Sequence, residues 1–168
     1  MGIIVNSSAR SITFSGKNDP CRIGRKGMIA GEQGREGDEK TPLGDYALRF
    51  GLYRADRLPA PNSDLTFRAL RANDGWCDDV NDPAYNRLIR LPYPASHEKL
   101  WREDGAYDVI LVMSHNDSPP QRSLGSAVFI HVAQPDDRQT LGCIALEPEV
   151  MVRLLPHLKT GLKISIQE

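Results

Sequence analysis

The apolar residues of this chain come in short runs, and glycine, proline or asparagine breaks each run before it reaches helical length. Ile3-Ile4-Val5, Ser11-Ile12-Thr13-Phe14 and Tyr46-Ala47-Leu48-Arg49-Phe50 alternate or cluster as strands do. Val109 to Met113 and Ala127 to Val132 read as the strongest strands, and Leu162 to Ile166 closes the chain with period-two alternation. Twelve prolines and fourteen glycines suit a loop-rich, mainly β fold, and 168 residues suit a single domain spanning 1–168. Helical spacing is confined to Glu147–Leu158, where Val150, Met151, Leu154, Leu155 and Leu158 recur behind a tolerated Pro148. A second short helix is expected from Ser96, as its N-cap, through Leu100 and Trp101. Residues 54–86, rich in Pro, Asn and Asp, read as a long structured insertion.

Composition narrows the function classes. A net charge of −1 gives no electrostatic basis for a polyanionic partner, so no nucleic acid is expected. The basic run Cys21-Arg22-Ile23-Gly24-Arg25-Lys26 is followed closely by acidic Glu36-Gly37-Asp38-Glu39, as in a solvated hairpin. No transmembrane segment is expected, because no stretch approaches the ~18–20 apolar residues a membrane helix needs. Met1 to Asn6 lacks the basic region, apolar stretch and cleavage site of a secretory signal, so cytoplasmic residence stays open. His97, His115, His131 and His157 have no paired ligand spacing and there is no Cys-x-x-Cys, so no metal and no cofactor are expected. The glycines between 24 and 37 lack the Lys-Ser/Thr ending of a phosphate loop. Trp76 and Trp101 suit anchors of the insertion better than sugar contacts. Cys21 and Cys77 read either as a disulfide or as two buried free thiols.

One segment carries chemistry. His131 ends the apolar run Phe129-Ile130-His131-Val132, and Thr140-Leu141-Gly142-Cys143 follows a short polar loop. A thiol of ordinary pKa is barely ionised at neutral pH, so a nucleophilic Cys143 needs a base such as His131. Gly142 permits a tight turn that would aim the N–H groups of Gly142 and Cys143 at a developing oxyanion. Asp136, Asp137 and the Val132 carbonyl are candidates to orient His131, and the short loop favours the carbonyl. His115 competes as the base. If Val109–Met113 and Phe129–Val132 form a hairpin, His115 lies about five residues along it from His131, roughly 17 Å at ~3.3 Å per residue. His131 is therefore the expected base, with His115 and Asn116 as substrate-binding or loop-capping residues.

Val128-Phe129-Ile130-His131 through Gly142-Cys143 resembles the active-site segment of the YkuD-type L,D-transpeptidases, cysteine enzymes that remodel peptidoglycan. Glu39-Lys40-Thr41-Pro42-Leu43-Gly44-Asp45-Tyr46 is similar to that family's Thr-Pro-x-Gly strand opening. Asp74 to Asp79, Pro83 to Arg87, Tyr107-Asp108 and Ser114 to Asp117 resemble a compact branch of it. The resemblance implies a single-domain β-sandwich of the L,D-transpeptidase type with one or two short helices. It also implies stem peptides of peptidoglycan as partners, a thioester on Cys143 resolved by an amine or water, acylation by carbapenems, and a periplasmic or cell-envelope location. Oligomeric state is not read from the sequence.

The sequence departs from the family pattern beside the nucleophile. Thr140 keeps the family's Ser/Thr position, but Leu141 stands where the family has histidine and Ala145 where it has arginine or asparagine. The interval from His131 to Cys143, 12 residues, is shorter than usual. These changes predict a more apolar pocket and a different L–D junction from the usual diaminopimelate–D-alanine bond. They also leave two rival readings open, a cytoplasmic cysteine amidase or peptidase and a non-catalytic peptidoglycan-binding module. Slow alkylation of Cys143 is the outcome that would favour the binding module.

Overall fold

The computed structural model describes residues 2–168; Met1, part of the N-terminal stretch read above, lies outside the described residues. The architecture is organised by one long strand. β1 (Ile3–Asn6), β2 (Ser11–Phe14), β3 (Lys17–Pro20) and β4 (Met28–Ala30) precede β5, which runs from Thr41 to Tyr53. The first half of β5 pairs with the C-terminal strand, placing Ala47 opposite Lys163 and Gly44 opposite Ile166. Its second half pairs with Val109–Met113, placing Leu52 opposite Ile110. The register shifts at Val112/Met113, where the strand passes from one half of the sheet to the other. Leu48 and Leu52 are fully buried on either side of this transition.

The remaining elements are β6 (Phe67–Ala69), β7 (Asp74–Cys77), β8 (Leu88–Arg90), β9 (His97–Lys99), β10 (Val109–Met113), β11 (Phe129–Val132), β12 (Ile144–Leu146), α1 (Pro148–Leu154) and β13 (Lys163–Gln167). The main sheet runs β12-β11-β10-β5-β13-β1-β2-β3. Beyond β3 the chain continues into residues 22–25, which bond to the free edge of β12. Arg22 and Ala145 exchange N–H···O bonds of 2.8 and 3.0 Å, and Arg25 N–H donates to the Thr140 carbonyl at 2.8 Å. The sheet is thereby nearly closed, and the mainly β fold with one short α-helix matches expectation. The basic run is not a solvated hairpin: its backbone covers an edge, Arg22 pairs with Glu147 at 2.7 Å, and Lys26 pairs with Glu39 at 3.1 Å.

Two corrections come from tertiary context. The segment after Ser96 is strand β9, not a helix. β7 offers two edges, and it takes β8 on one and β9 on the other, with Trp76 opposite both Leu88 and Glu98. Ladder pairing overrides the local N-cap signal. The C-terminal helix stops at Leu154 and tightens into a 3-10 turn over Leu155–His157, because Pro156 supplies no N–H to continue an α-helix.

Alternation divides the interior into two cores. Val109, Leu111, Met113, Ile130, Ile144 and Leu146 face the main core, to which α1 adds Val150, Met151 and Leu154. The opposite faces of the same strands present Ile110, Val112 and Phe129 to a second core completed by Trp76, Leu100 and Tyr107. Trp76 meets the Phe129 ring edge-on at 5.0 Å, so it anchors the insertion as expected. Fully burying side chains of this kind contributes about 1.5–3 kcal/mol each. Cys21 and Cys77 are separate buried free thiols.

Candidate active site

Register places the histidine and the cysteine together. β11 and β12 run parallel, with Ile130 opposite Ile144 and His131 opposite Ala145. Side chains alternate between faces, so Phe129, His131, Cys143 and Ala145 belong to the face covered by the insertion. Cys143 is one diagonal step from His131 across adjacent strands. Both line a cleft of about 790 Å³.

The turn before Cys143 is fastened by two threonines. Thr140 Oγ1 donates to the Cys143 carbonyl at 2.6 Å and accepts the Gly142 N–H at 3.1 Å. Thr41, fully buried at the start of β5, donates to the Gly142 carbonyl at 3.0 Å and accepts the Gly24 N–H at 2.8 Å. Gly142 has φ +134°, and a Cβ there would lie 2.9 Å from the Lys40 carbonyl oxygen, so no other residue fits without moving backbone. The Gly142 N–H is already engaged by Thr140, which differs from its expected place beside an oxyanion. The Cys143 N–H takes no part in these bonds.

The Cys143 thiol donates to the Ala127 carbonyl at 3.1 Å, and its sulfur accepts the Phe129 N–H at 3.4 Å. Ala127 holds φ +53°, an uncommon conformation for a residue with a Cβ. Asn86 holds it there. Asn86 Oδ1 accepts from Ala127 N–H at 3.1 Å and Trp76 Nε1 at 2.9 Å, while Nδ2 donates to the carbonyls of His115 and Asn116. The insertion is thus bonded directly to the backbone that receives the thiol. Burial pushes the Cys143 thiol up to about 12, and the nearby Glu98 carboxylate adds to the rise.

His131 is turned by its own neighbour. Nδ1 lies 2.9 Å from the Val132 carbonyl, which makes Nδ1 the protonated nitrogen and leaves Nε2 as an acceptor. Asp136 instead pairs with Arg138. Burial lowers the His131 pKa to about 4. Resting thiol and imidazole are therefore both neutral, and slow alkylation by itself no longer distinguishes a catalytic from a non-catalytic Cys143.

His115 also lines the cleft, buried, with its ring edge-on to Tyr46 at 5.6 Å; burial lowers its pKa. The β10–β11 pairing places His131 opposite Ile110, five residues from His115 along the strand, as the hairpin expectation required. Asn116 is occupied within its own loop, donating to the Gln121 and Gly125 carbonyls and accepting from Gln121 N–H. The expected apolar pocket is found only beside Cys143. Ala145 is buried and Leu141 is 70% exposed at the lip, but the rest of the wall carries Arg35, Asp38, Lys40, Asp78, Glu98 and Arg102. These charges come from loops and from β9, outside the motif.

Glu98, Arg102 and Tyr107 were not singled out as functional in the sequence. Tyr107 meets His131 edge-on at 5.3 Å and donates its hydroxyl proton to Glu98. Glu98 and Leu100 stand two apart, the same-face spacing of a strand, so the local order of an apolar and an acidic residue there gave no signal for the place of Glu98 in the cleft.

With the two strands, the fastened turn and the cleft in place, comparison with known proteins assigns the family. The model of the YkuD L,D-transpeptidase catalytic domain matches residues 1–166. The chain belongs to this family. No curated protein matches the chain. Among solved structures it is similar to Bd1075 of Bdellovibrio bacteriovorus, at 15% identity and TM-score 0.49, covering 98% of this chain and 46% of that one. It is similar to L,D-transpeptidase 1 of Mycobacterium tuberculosis, at 12% identity and TM-score 0.44, covering 99% and 60%. It is also similar to the helical cell shape determining protein Pgp2 of Campylobacter jejuni, at 14% identity and TM-score 0.47, covering 99% and 46%. The chain spans about half the length of these proteins. Among the described residues no helix is long and apolar enough to cross a membrane, and no group of side chains could hold a metal ion.

Proposed function

We propose that this YkuD-family chain is an L,D-transpeptidase acting on peptidoglycan stem peptides in the cell envelope, with Cys143 as nucleophile and His131 as base. The observation that carries the reading is the diagonal placement of Cys143 and His131 on one face of β11 and β12, with Nδ1 of His131 committed to the Val132 carbonyl. Family membership supports the substrate class.

Two neutral groups set the form of the first step. The thiol gives its proton to Nε2 as sulfur attacks the carbonyl carbon of an L-residue, so the ion pair forms only with the new S–C bond. The Cys143 N–H stabilises the resulting oxyanion. Collapse breaks the C–N bond, and the imidazolium protonates the departing amine, leaving a thioester. An amine or water then attacks that thioester, His131 returns a proton to sulfur, and the product is a cross-link or a hydrolysed stem.

The test is mass spectrometry of the protein and its products with defined tripeptide and tetrapeptide muropeptides. A stem-peptide adduct on Cys143, followed by cross-linked or shortened stems, is expected, and the fragments identify the L–D junction that is cut. Binding of muropeptides with no adduct and no product would instead establish a binding module.

A further inference from the structure

The cleft wall opposite the nucleophile carries a carboxylate that the first chemical step does not use. Glu98 lies on β9, held across the small sheet from Trp76, whose ring is fixed on Phe129 of β11. The same cleft is lined by Glu98, Tyr107, His131 and Cys143. Both protein partners of the Glu98 carboxylate use one oxygen: Tyr107 donates its hydroxyl to Oε1, and Arg102 Nη1 stands 3.8 Å from Oε1. Oε2 takes no hydrogen bond from the described residues, and the side chain keeps 30% of its surface open. Arg102 does not neutralise it closely, because its guanidinium is committed to Asp104 and stacked 5.0 Å over the Tyr107 ring.

A carboxylate here works against the thiol. Its charge helps hold the Cys143 proton in place, and burial together with Asp78 and Glu36 raises the pKa of Glu98 itself. A group that only oriented Tyr107 could be an uncharged amide without that cost. Its charge is useful when a cation enters the cleft, and the second half-reaction brings one. A primary amine reaches the thioester as an ammonium ion at neutral pH, and it cannot attack until it loses a proton.

We propose that Glu98 docks the ammonium group of the acyl acceptor through Oε2 and removes its proton before attack on the thioester. This role rests on the thioester reading of Cys143. One N–H proton passes to Glu98, giving the neutral amine and a carboxylic acid. The nitrogen lone pair forms the C–N bond, the C–S bond breaks with its electron pair returning to sulfur, and the second N–H proton reaches sulfur through His131. Glu98 then releases its proton to solvent. Water as acceptor carries no charge and needs no such docking, so Glu98 sets the ratio of cross-linking to hydrolysis.

The experiment compares wild type, Glu98→Gln and Glu98→Asp with a tetrapeptide donor, reading the Cys143 adduct by rapid-quench mass spectrometry and the products by chromatography. Three acceptors are offered: a stem peptide with a free primary amine, hydroxylamine (uncharged at neutral pH), and water alone. Glu98→Gln is expected to form the adduct within about threefold of wild type and to transfer it normally to hydroxylamine and water. Transfer to the ammonium-bearing acceptor is expected to fall by about 10²-fold, with partial recovery in Glu98→Asp. An unchanged cross-linking to hydrolysis ratio in a normally acylated Glu98→Gln protein would overturn the proposal. An equal loss with all three acceptors would overturn it too, because that pattern marks a structural role. If wild type forms no adduct at all, the thioester reading itself fails, and this role fails with it.

Discussion

The two walls of the cleft are built by different means. The Cys143 wall is backbone: β11 and β12 are ladder strands, residues 22–25 seal the outer edge, and Thr41 and Thr140 fasten the turn with hydrogen bonds to main-chain atoms. The opposite wall is held by side chains: Asn86 makes four hydrogen bonds, the Tyr85 hydroxyl donates to Glu36 and accepts the Gly125 N–H, and Glu98 accepts from Tyr107 beside Arg102. A backbone wall fixes a reacting atom to within a few tenths of an ångström and tolerates little change. A side-chain wall admits charge, and with it selectivity among substrates.

Substitutions at the backbone wall should cost the most activity. Cys143→Ala is expected to abolish turnover, a loss of at least about 10⁴-fold, while circular dichroism stays unchanged because little volume is removed. Turnover surviving in that variant would end the proposed mechanism. His131→Ala should lower turnover by about 10²–10⁴-fold. Because His131 is held neutral by burial down to about pH 4, kcat/KM in wild type should fall on the acid side near that value rather than near 6.5. Unfolded chains bind the His131 proton below pH 6.5 and the folded one does not until about 4. Folding stability is therefore full above 6.5 and falls as the pH drops from 6.5 towards 4, by about 3 kcal/mol from this group. Chemical denaturation of wild type and His131→Gln across that range measures the difference, which should shrink in the variant.

The same contrast explains what could be read from the amino-acid order. Continuous apolar runs announced β10 and β11, period-two alternation announced β13, and the Gly142-Cys143 pair marked the turn, because ladder strands and a φ-restricted glycine leave local signals. The helix expected after Ser96 proved to be β9 because its conformation is set by β7, a partner twenty residues earlier, which local propensity does not see. Glu98 stayed hidden for the same reason: its place in the cleft with Cys143 exists only once the small sheet docks on Phe129. Asn86 left no local mark of its four bonds either. Leu141 and Ala145 led to the expectation of an apolar pocket, but much of the wall is charged, because its other residues arrive from elements distant in sequence.

Smaller effects sharpen the comparison. Asn86→Ala removes the four Asn86 side-chain bonds, from Trp76 Nε1 and Ala127 N–H and to the carbonyls of His115 and Asn116, and should lower stability by about 2 kcal/mol, seen as a Tm drop of roughly 5 °C. Thr41→Val leaves the Gly142 carbonyl and Gly24 N–H unpaired in a buried site. A loss of about 1–2 kcal/mol with a measurable fall in kcat is expected. If Thr41→Val lost stability and kept full kcat, the turn would not need its backbone fastening. His115→Ala should change the chemical step by less than about threefold, since neither the thiol nor the His131 ring is bonded to it. A larger effect than that of His131→Ala would reverse the assignment of the base.

The most direct test of the central claim is a rapid-quench measurement of intact mass on wild type mixed with a defined stem tetrapeptide, followed by digestion to locate the adduct. The expected result is a transient thioester on the peptide that contains Cys143, formed before product and missing in Cys143→Ala. Product appearing with no adduct, or with the adduct on Cys21 or Cys77, would contradict it.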